Sequence, residues 1–425
     1  MTPMTPADVC AYPIDVPTEP SNALTRARHT LEAQGLWTPA QQMGRCWAAA
    51  CVALEITQRC NLDCTLCYLS ETAESVHDLP LGEVYRRIDA IAHSYGPGTN
   101  VQITGGDPTL RRRDELLAIV RRVRERGLRP TLMTNGIRAR RPLLEALVAA
   151  GLMDIAFHVD TTQQRKGYAS EVALNAVRDS YLERVRGLPL SVMFNTTVHR
   201  DNVAELPDLV AYFVRRAKAI RTVSFQLQAD TGRGVAGARD GALVNTEAVM
   251  AGIERGAGTR LSFDTSLPGH PRCTRYVQSA VVGGRVFDLF DDPAFIQRLM
   301  AHLPRLAWDR GSSWRMARTF AGWWLRHPRH WGPCLAWAGR KGWQMFGALL
   351  AARGRVTHLS FLLHNFMDAQ GLERERIDAC AFKVMTRDGP VSMCLHNARR
   401  DEFVLQPVAV GHPVRFWRPL TGEVQ

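Results

Sequence analysis

The chain has 425 residues, 46% of them hydrophobic, and a formal net charge of +12. This composition excludes a disordered or collagen-like chain and suits a globular one with a full core. The charge excess is local: residues 305–355 carry ten Arg and Lys against one acid, Asp309, which excludes a surface that is basic all over.

No run of about 18 uncharged apolar residues reads as a spanning helix. The opening Met-Thr-Pro-Met-Thr-Pro lacks the basic and apolar regions of a secretory signal. Ten cysteines in such a chain argue for metal binding over a disulfide framework. A reducing, cytoplasmic location is the expectation.

Residues 1–50 read as a leader with an amphipathic helix near Ala23–Gly35. From residue 51, short apolar runs alternate with helical stretches. The strand expectations are Val52–Thr57, Val101–Thr104, Thr131–Thr134, Asp154–His158, Ser191–Thr197 and Thr222–Leu227. Helices are expected near 82–95, 113–126, 141–150, 171–186 and 204–217; Leu116, Ile119, Val120 and Val123 give the second of these one apolar face. Six apolar strands, each followed by a helix, imply parallel pairing with both faces buried. The fold expectation is α/β: a partial (β/α)6 TIM-like barrel over 51–235, with its chemistry at the C-terminal strand ends. Residues 236–304 lose the alternation and read as a connecting region. A basic, Trp-rich helical segment follows at 305–355, and an α+β C-terminal domain at 356–425.

The first strand leads into Arg59-Cys-Asn-Leu-Asp-Cys-Thr-Leu-Cys-Tyr68. Three thiolates on one short loop, Cys60, Cys64 and Cys67, can hold a cubane iron–sulfur cluster and leave one iron open to another ligand; the alternatives are a zinc knuckle or thiols in an ordinary loop. A structural zinc site would need a fourth ligand. The second strand ends in Thr104-Gly-Gly-Asp-Pro-Thr109, where glycines allow close backbone approach. The third ends in Thr134-Asn-Gly136, with Asn135 as either a ligand contact or a turn cap. On the fourth, His158 and Asp160 share a face; the fifth and sixth bring Asn195 and Gln226. Polar residues at period two suggest a polar lumen that contacts cofactor or substrate, although barrel strands also carry satisfied core polar groups. No residue stands out as a catalytic acid or base.

The cysteine spacing, the trailing tyrosine and the glycine turn together resemble the signature of radical S-adenosylmethionine enzymes. The resemblance implies a [4Fe–4S] cluster on Cys60, Cys64 and Cys67 whose open iron takes S-adenosyl-L-methionine. It implies help from Gly105, Gly106 and Asp107 in binding the methionyl end, with Asp107 standing where the family has Glu. It also implies a reductant such as flavodoxin or ferredoxin, and hydrogen abstraction by a 5′-deoxyadenosyl radical.

Near the C-terminus, Cys380 and Cys394 flank a hairpin signal at Asp388-Gly389. Their spacing matches the last two cysteines of the auxiliary-cluster domain of the molybdenum-cofactor GTP cyclase and its relatives. With Cys273 they are candidates for a second [4Fe–4S] cluster; the alternative is that they are buried small hydrophobes. His364-Asn-Phe-Met-Asp368, Glu373-Arg-Glu-Arg-Ile377 and Cys394-Leu-His-Asn397 resemble the C-terminal part of the tetraether lipid synthase and methylpterin methyltransferase group. Members of that group carry more cysteines; near Pro268 this chain has Gly269 instead. Cys10, Cys46 and Cys51 are too few for a four-cysteine N-terminal site, and Cys334 has no assigned role.

Seven of the ten tryptophans lie between Trp308 and Trp343, interleaved with Arg and His. Two readings stay open: peripheral membrane contact through 305–355 with a lipid substrate, or a helical cap packed on the barrel. Nucleic acid is the weaker third. The functional expectation is a radical S-adenosylmethionine enzyme performing carbon–carbon coupling or methylation on a lipid-like substrate. The alternatives are a pterin or other small-molecule methyltransferase and, in another class, a non-catalytic iron–sulfur electron carrier or scaffold.

Overall fold

A computed structural model describes residues 2–14, 23–43, 51–233, 244–303, 306 and 313–425. Cys46 and Trp308 lie outside the described residues. Two helices precede the sheet, α1 (Pro6–Ala11) and α2 (Ala23–Ala33). Six strand–helix units follow. The strands are β1 (Cys51–Thr57), β2 (Asn100–Gly105), β3 (Arg129–Thr134), β4 (Asp154–His158), β5 (Ser191–Val198) and β6 (Thr222–Leu227). After them come α3 (Leu81–Tyr95), α4 (Arg113–Glu125), α5 (Arg141–Ala149), α6 (Asn175–Val185), α7 (Leu206–Arg215) and α8 (Thr246–Ala257). Neighbouring strands pair in parallel from β1 through β6, as in a partial TIM-like barrel.

The strands are apolar because helices cover their outer faces: Ile103, Leu132, Ile155 and Phe194 are fully buried against Leu116, Ile119, Leu144 and Phe213.

The described part of the stretch read as lacking alternation, 244–303, carries regular elements. Besides α8 it holds an antiparallel pair, β7 (Thr274–Val282) and β8 (Arg285–Asp288), and α9 (Pro293–Met300). The basic segment forms α10 (Ser313–Leu325) and α11 (Trp331–Ala351). Its tryptophans divide. Trp323 is buried between His327 and His330, and Trp337 stacks on Phe295, whereas Trp314 and Trp343 face outward.

The C-terminal residues extend the barrel sheet at both ends. β9 (Thr357–Asn365) pairs in parallel with β6 and antiparallel with β7. α12 (Arg374–Asp378) leads to β10 (Lys383–Met385), which pairs in parallel with β1 and antiparallel with β11 (Pro390–Ser392). The resulting order is β11-β10-β1-β2-β3-β4-β5-β6-β9-β7-β8. The sheet curls far enough for its ends to touch. The ring of Phe382, just before β10, lies 5.0 Å from His364 on β9 and 6.1 Å from Phe366. The chain finishes with α13 (Met393–Ala398), α14 (Arg400–Val404) and a small sheet of β12 (Val408–Val410) and β13 (Arg415–Trp417).

Candidate active site

The cysteine loop leaves β1 just after an irregularity in its pairing with β2, between Glu55 and Thr57. Arg111 holds that bend from below by donating to the Ile56 carbonyl at 2.6 Å. The loop is then pinned on three sides. Thr65 N–H donates to the Thr162 carbonyl at 2.9 Å, Arg233 N–H to the Leu69 carbonyl at 3.0 Å, and the Tyr68 hydroxyl to the Gly105 carbonyl at 2.5 Å.

The Gly-Gly-Asp turn supplies the fourth side. Gly106 N–H donates to the Thr57 carbonyl and Asp107 N–H to the Arg59 carbonyl. These contacts account for the glycines. A Cβ on Gly105, at φ +125°, would lie 1.9 Å from the Thr57 oxygen, and one on Gly106 would lie 2.1 Å from the Arg59 oxygen. The turn therefore grips the loop backbone. Asp107 is buried and accepts from Thr109 with one carboxylate oxygen and from Thr134 and Asn135 with the other. Its side chain is committed to joining the ends of β2 and β3, and its backbone N–H and carbonyl are taken by Arg59 and Leu110. Asn135 in turn donates to Asn61 at 2.7 Å, beside Cys60.

The loop opens onto a cleft of about 1330 Å³, part of it shared with solvent, that runs into the curl of the sheet. Of the residues singled out in the sequence, Cys60, Cys64, Cys67, Gly105, Gly106, Asn135, His158, Asn195 and Gln226 line it. Asp107 and Asp160 lie beneath its wall. Asp160 is fully buried, accepts from the N–H groups of Thr162 and Thr197, and sits 2.6 Å from His158 Nε2. Burial alone would raise the Asp160 carboxyl, but His158 and the hydrogen bonds outweigh it and hold it below the usual carboxylate range. Burial alone would lower the His158 imidazole, but Asp160 outweighs it and raises it. The two groups thus face each other as a pair in the cleft wall.

Several lining residues were not picked out from sequence: Glu55, Gln102, Met133, Phe366, Phe382, Met393 and Asn397. Glu55 and Gln102 carried a usable signal, being polar on apolar strands at the same period-two positions as Thr57 and Thr104. Glu55 is buried and takes a two-pronged ion pair from Arg400 of α14, at 2.9 and 3.0 Å. Burial would raise its carboxyl, yet Arg400, with His396 and Gln58, brings it down to about 2. The same guanidinium lies 4.6 Å over the Tyr68 ring. One residue of the C-terminal segment thus fastens both the floor of the cleft and the cysteine loop.

The donor chemistry fits an iron–sulfur cluster with S-adenosylmethionine. The three thiols are free and burial raises each above its ordinary pKa, so metal binding displaces protons there. Among the described residues no three His, Cys, Asp or Glu side chains converge at single-ion spacing; a cluster spreads its thiolates over separate irons. Asn195 is 2% exposed and its Oδ1 has no hydrogen-bond partner. A buried acceptor of this kind costs about 1–3 kcal/mol unless a ligand satisfies it.

The second cysteine set gathers elsewhere. The Asp388-Gly389 turn joins β10 to β11, with Cys380 and Cys394 flanking the hairpin. Cys273, Cys380 and Cys394 lie near enough for their charges to interact, and Arg376 Nε donates to Cys273 Sγ at 3.2 Å. Gly269 has a structural reason to be glycine: at φ +83°, a Cβ there would approach the Ala379 oxygen to 2.8 Å. A cysteine at that position does not fit.

Residues 54–213 match the family model described as Radical SAM superfamily. The chain is 25% identical over 186 residues to 7,8-dihydro-6-hydroxymethylpterin dimethyltransferase of Methanocaldococcus jannaschii, covering 42% of this chain and 36% of that one. It is 30% identical over 161 residues to PqqA peptide cyclase of Methylobacterium nodulans, covering 37% and 41%. The chain thus spans about two fifths of the length of these curated relatives. Among solved structures, it is similar to native anSMEcpe with bound AdoMet (14% identity, TM-score 0.38, covering 49% of this chain and 62% of that one). It is also similar to the FeFe-hydrogenase maturase HydG from Carboxydothermus hydrogenoformans (14% identity, TM-score 0.38, covering 56% of each).

Proposed function

Starting from a radical S-adenosylmethionine domain over residues 54–213, we propose that this chain abstracts hydrogen from an unactivated C–H bond of an apolar substrate, leading to carbon–carbon coupling or methylation. The observation that carries the proposal is one cleft that joins three free thiols on a pinned loop to the unpaired buried oxygen of Asn195. Cys60, Cys64 and Cys67 would hold a [4Fe–4S] cluster, and Gly105 and Gly106, braced by Asp107 beneath them, would border the methionyl end of S-adenosylmethionine. When bound, these groups supply reductive cleavage of S-adenosylmethionine to methionine and a 5′-deoxyadenosyl radical, with the electron from a carrier such as flavodoxin or ferredoxin.

The protein's own residues bind, orient and exclude water. Asn195 and Gln226 offer amide hydrogen bonds, and Asn135 orients the cysteine loop through Asn61. His158, held through Nε2 by Asp160, borders the cleft with its ring and offers a polar edge to a bound oxygen. Leu66, Leu69, Phe366, Phe382 and Met393 make an apolar wall that excludes water from the reacting carbon. That wall supports a lipid-like substrate. The names of the relatives, one acting on a pterin and one on a peptide, do not select a class. A pterin or other small-molecule methyl transfer is the second reading, favoured by the likeness to the dimethyltransferase.

The grouping of Cys273, Cys380 and Cys394 supports a second [4Fe–4S] cluster. Iron per chain would then be about eight, falling to about four in Cys380→Ala with Cys394→Ala; about four in the parent removes the second cluster. A reducing cytoplasmic compartment suits both clusters.

The decisive experiment is anaerobic reconstitution followed by dithionite and S-adenosylmethionine. The parent should release 5′-deoxyadenosine and Cys60→Ala should not. Equal background in both would leave a non-catalytic iron–sulfur protein. Isotope transfer from deuterated lipid or pterin fractions into 5′-deoxyadenosine separates the two substrate readings.

A further inference from the structure

Helix α11 is apolar on two opposite sides. Cys334, Trp337, Lys341, Met345 and Ala348 recur at i, i+3, i+7, i+11 and i+14 and make the inward side. Lys341 closes that side through Asp291. Leu335, Trp343, Phe346 and Leu350 recur at i, i+8, i+11 and i+15, half a turn away, and all are more than half exposed. Trp343 is 82% exposed, and its ring stacks on Phe346 at 6.4 Å. On α10 a second outward stripe runs through Trp314, Arg318, Ala321 and Leu325, with Trp314 75% exposed. Burying these side chains would be favourable, and nothing among the described residues covers them.

Charge identifies the covering partner. Residues 313–356 contain eight Arg and Lys and no Asp or Glu. Arg340 and Lys341 pair with Asp292 and Asp291 at the sheet side. Arg318, Arg326, Arg329, Arg353 and Arg355 are exposed beside the apolar stripes. A second copy of the chain would meet this face with the same positive charge, which disfavours self-association. A nucleic acid would answer the arginines and could stack on Trp343, but it offers no apolar phase for Leu325, Leu335 and Leu350 to enter. Neither helix is long and apolar enough to cross a membrane.

We propose that α10 and α11 form a peripheral docking surface for an anionic lipid bilayer. Leu335, Trp343, Phe346 and Leu350 enter the boundary between headgroups and acyl chains, and the flanking arginines bind lipid phosphates. This docking is independent of the chemistry proposed for the cleft.

The test is flotation of the full reconstituted chain with vesicles of phosphatidylcholine, with and without phosphatidylglycerol. The parent should bind the anionic vesicles about tenfold or more tightly than the neutral ones, and salt should weaken binding. Trp343→Ser with Phe346→Ser and Leu350→Ser should lose binding by about tenfold or more while keeping the parent's circular dichroism and 5′-deoxyadenosine yield. Arg318→Glu with Arg353→Glu should erase the preference for anionic lipid. The proposal is overturned if the parent does not float, or if the triple variant floats as the parent does. It is equally overturned if the parent is a dimer that the triple variant dissolves while neither binds vesicles.

Discussion

Replacing Arg400 by Met tests how the C-terminal segment holds the cleft together. Arg400 and Glu55 are both almost fully buried, and two charge-assisted hydrogen bonds join them. Removing one partner leaves a carboxylate in a low-dielectric site, which costs about 3–5 kcal/mol. The pH dependence follows from the position of the Glu55 carboxyl at about 2 in the folded chain, below its unfolded value of about 4.3. The pair therefore stabilises the parent fully above about pH 4.3, and that stability is lost as pH falls toward 2. In Arg400→Met, burial acts on Glu55 without its main counter-charge, so its folded pKa rises and the variant recovers stability on acidification as Glu55 protonates. The gap between parent and variant should thus be widest near pH 7 and shrink toward pH 4. Glu55→Gln combined with Arg400→Met should recover much of the loss, because no unpaired buried charge remains. Equilibrium urea unfolding of the metal-free, thiol-reduced chain measures all three. A gap below about 1 kcal/mol at pH 7, or one that does not narrow in acid, would refute the argument.

Gly106→Ala forces a Cβ to within 2.1 Å of the Arg59 oxygen and should cost about 1–3 kcal/mol or more; because the strain falls on the cysteine loop, iron content after reconstitution should drop with it. Asn195→Leu removes an unpaired buried acceptor, so the metal-free chain should keep its stability within about 1 kcal/mol. Its affinity for S-adenosylmethionine, read by calorimetry on the reconstituted protein, should fall about tenfold, the loss of one hydrogen bond to a ligand; unchanged affinity would take Asn195 out of the cofactor site. Asp107→Asn leaves the size of the side chain but weakens an acceptor that serves Thr109, Thr134 and Asn135. It should therefore lower the unfolding midpoint without changing the ratio of 5′-deoxyadenosine formed to iron bound.

The six core strands were readable because burial on both faces leaves uninterrupted apolar runs between turn residues; the expected bounds match those observed at β4 and β6 and lie within two residues of them elsewhere. Helix α8 was hidden by its own packing. Gly252 and Gly256 read as turn signals, yet they are where α8 lies closest to α7. A Cβ on Gly256 would reach the Pro207 oxygen at 2.4 Å. β9 resembles the core strands in composition, but its neighbour β6 ends 130 residues earlier, a pairing no local pattern records. The cysteine loop was legible from spacing alone, whereas Glu55 gained meaning only from Arg400, 345 positions away. Of the polar strand ends expected to face one lumen, Asn135, His158, Asn195 and Gln226 line the cleft, whereas Asp107 and Asp160 lie beneath its wall. Sequence did not distinguish those that remain available, such as Asn195, from those spent on the protein itself, such as Asp107 and Asp160.

The placement of β9 and β10 on opposite flanks of the six core strands has a consequence for biosynthesis. A ribosome that has released residues 51–235 has made every strand from β1 to β6 and all three cysteines of the loop, but neither flanking strand and neither Phe366 nor Phe382. In that nascent chain the loop faces an open trough whose edges still carry unpaired backbone. The trough becomes a chamber only when residues 357–404 arrive and Arg400 reaches Glu55. Metal meeting the emerging chain would find the loop facing that trough, whereas metal meeting the finished chain would reach the half-buried thiols through the solvent-open part of the cleft.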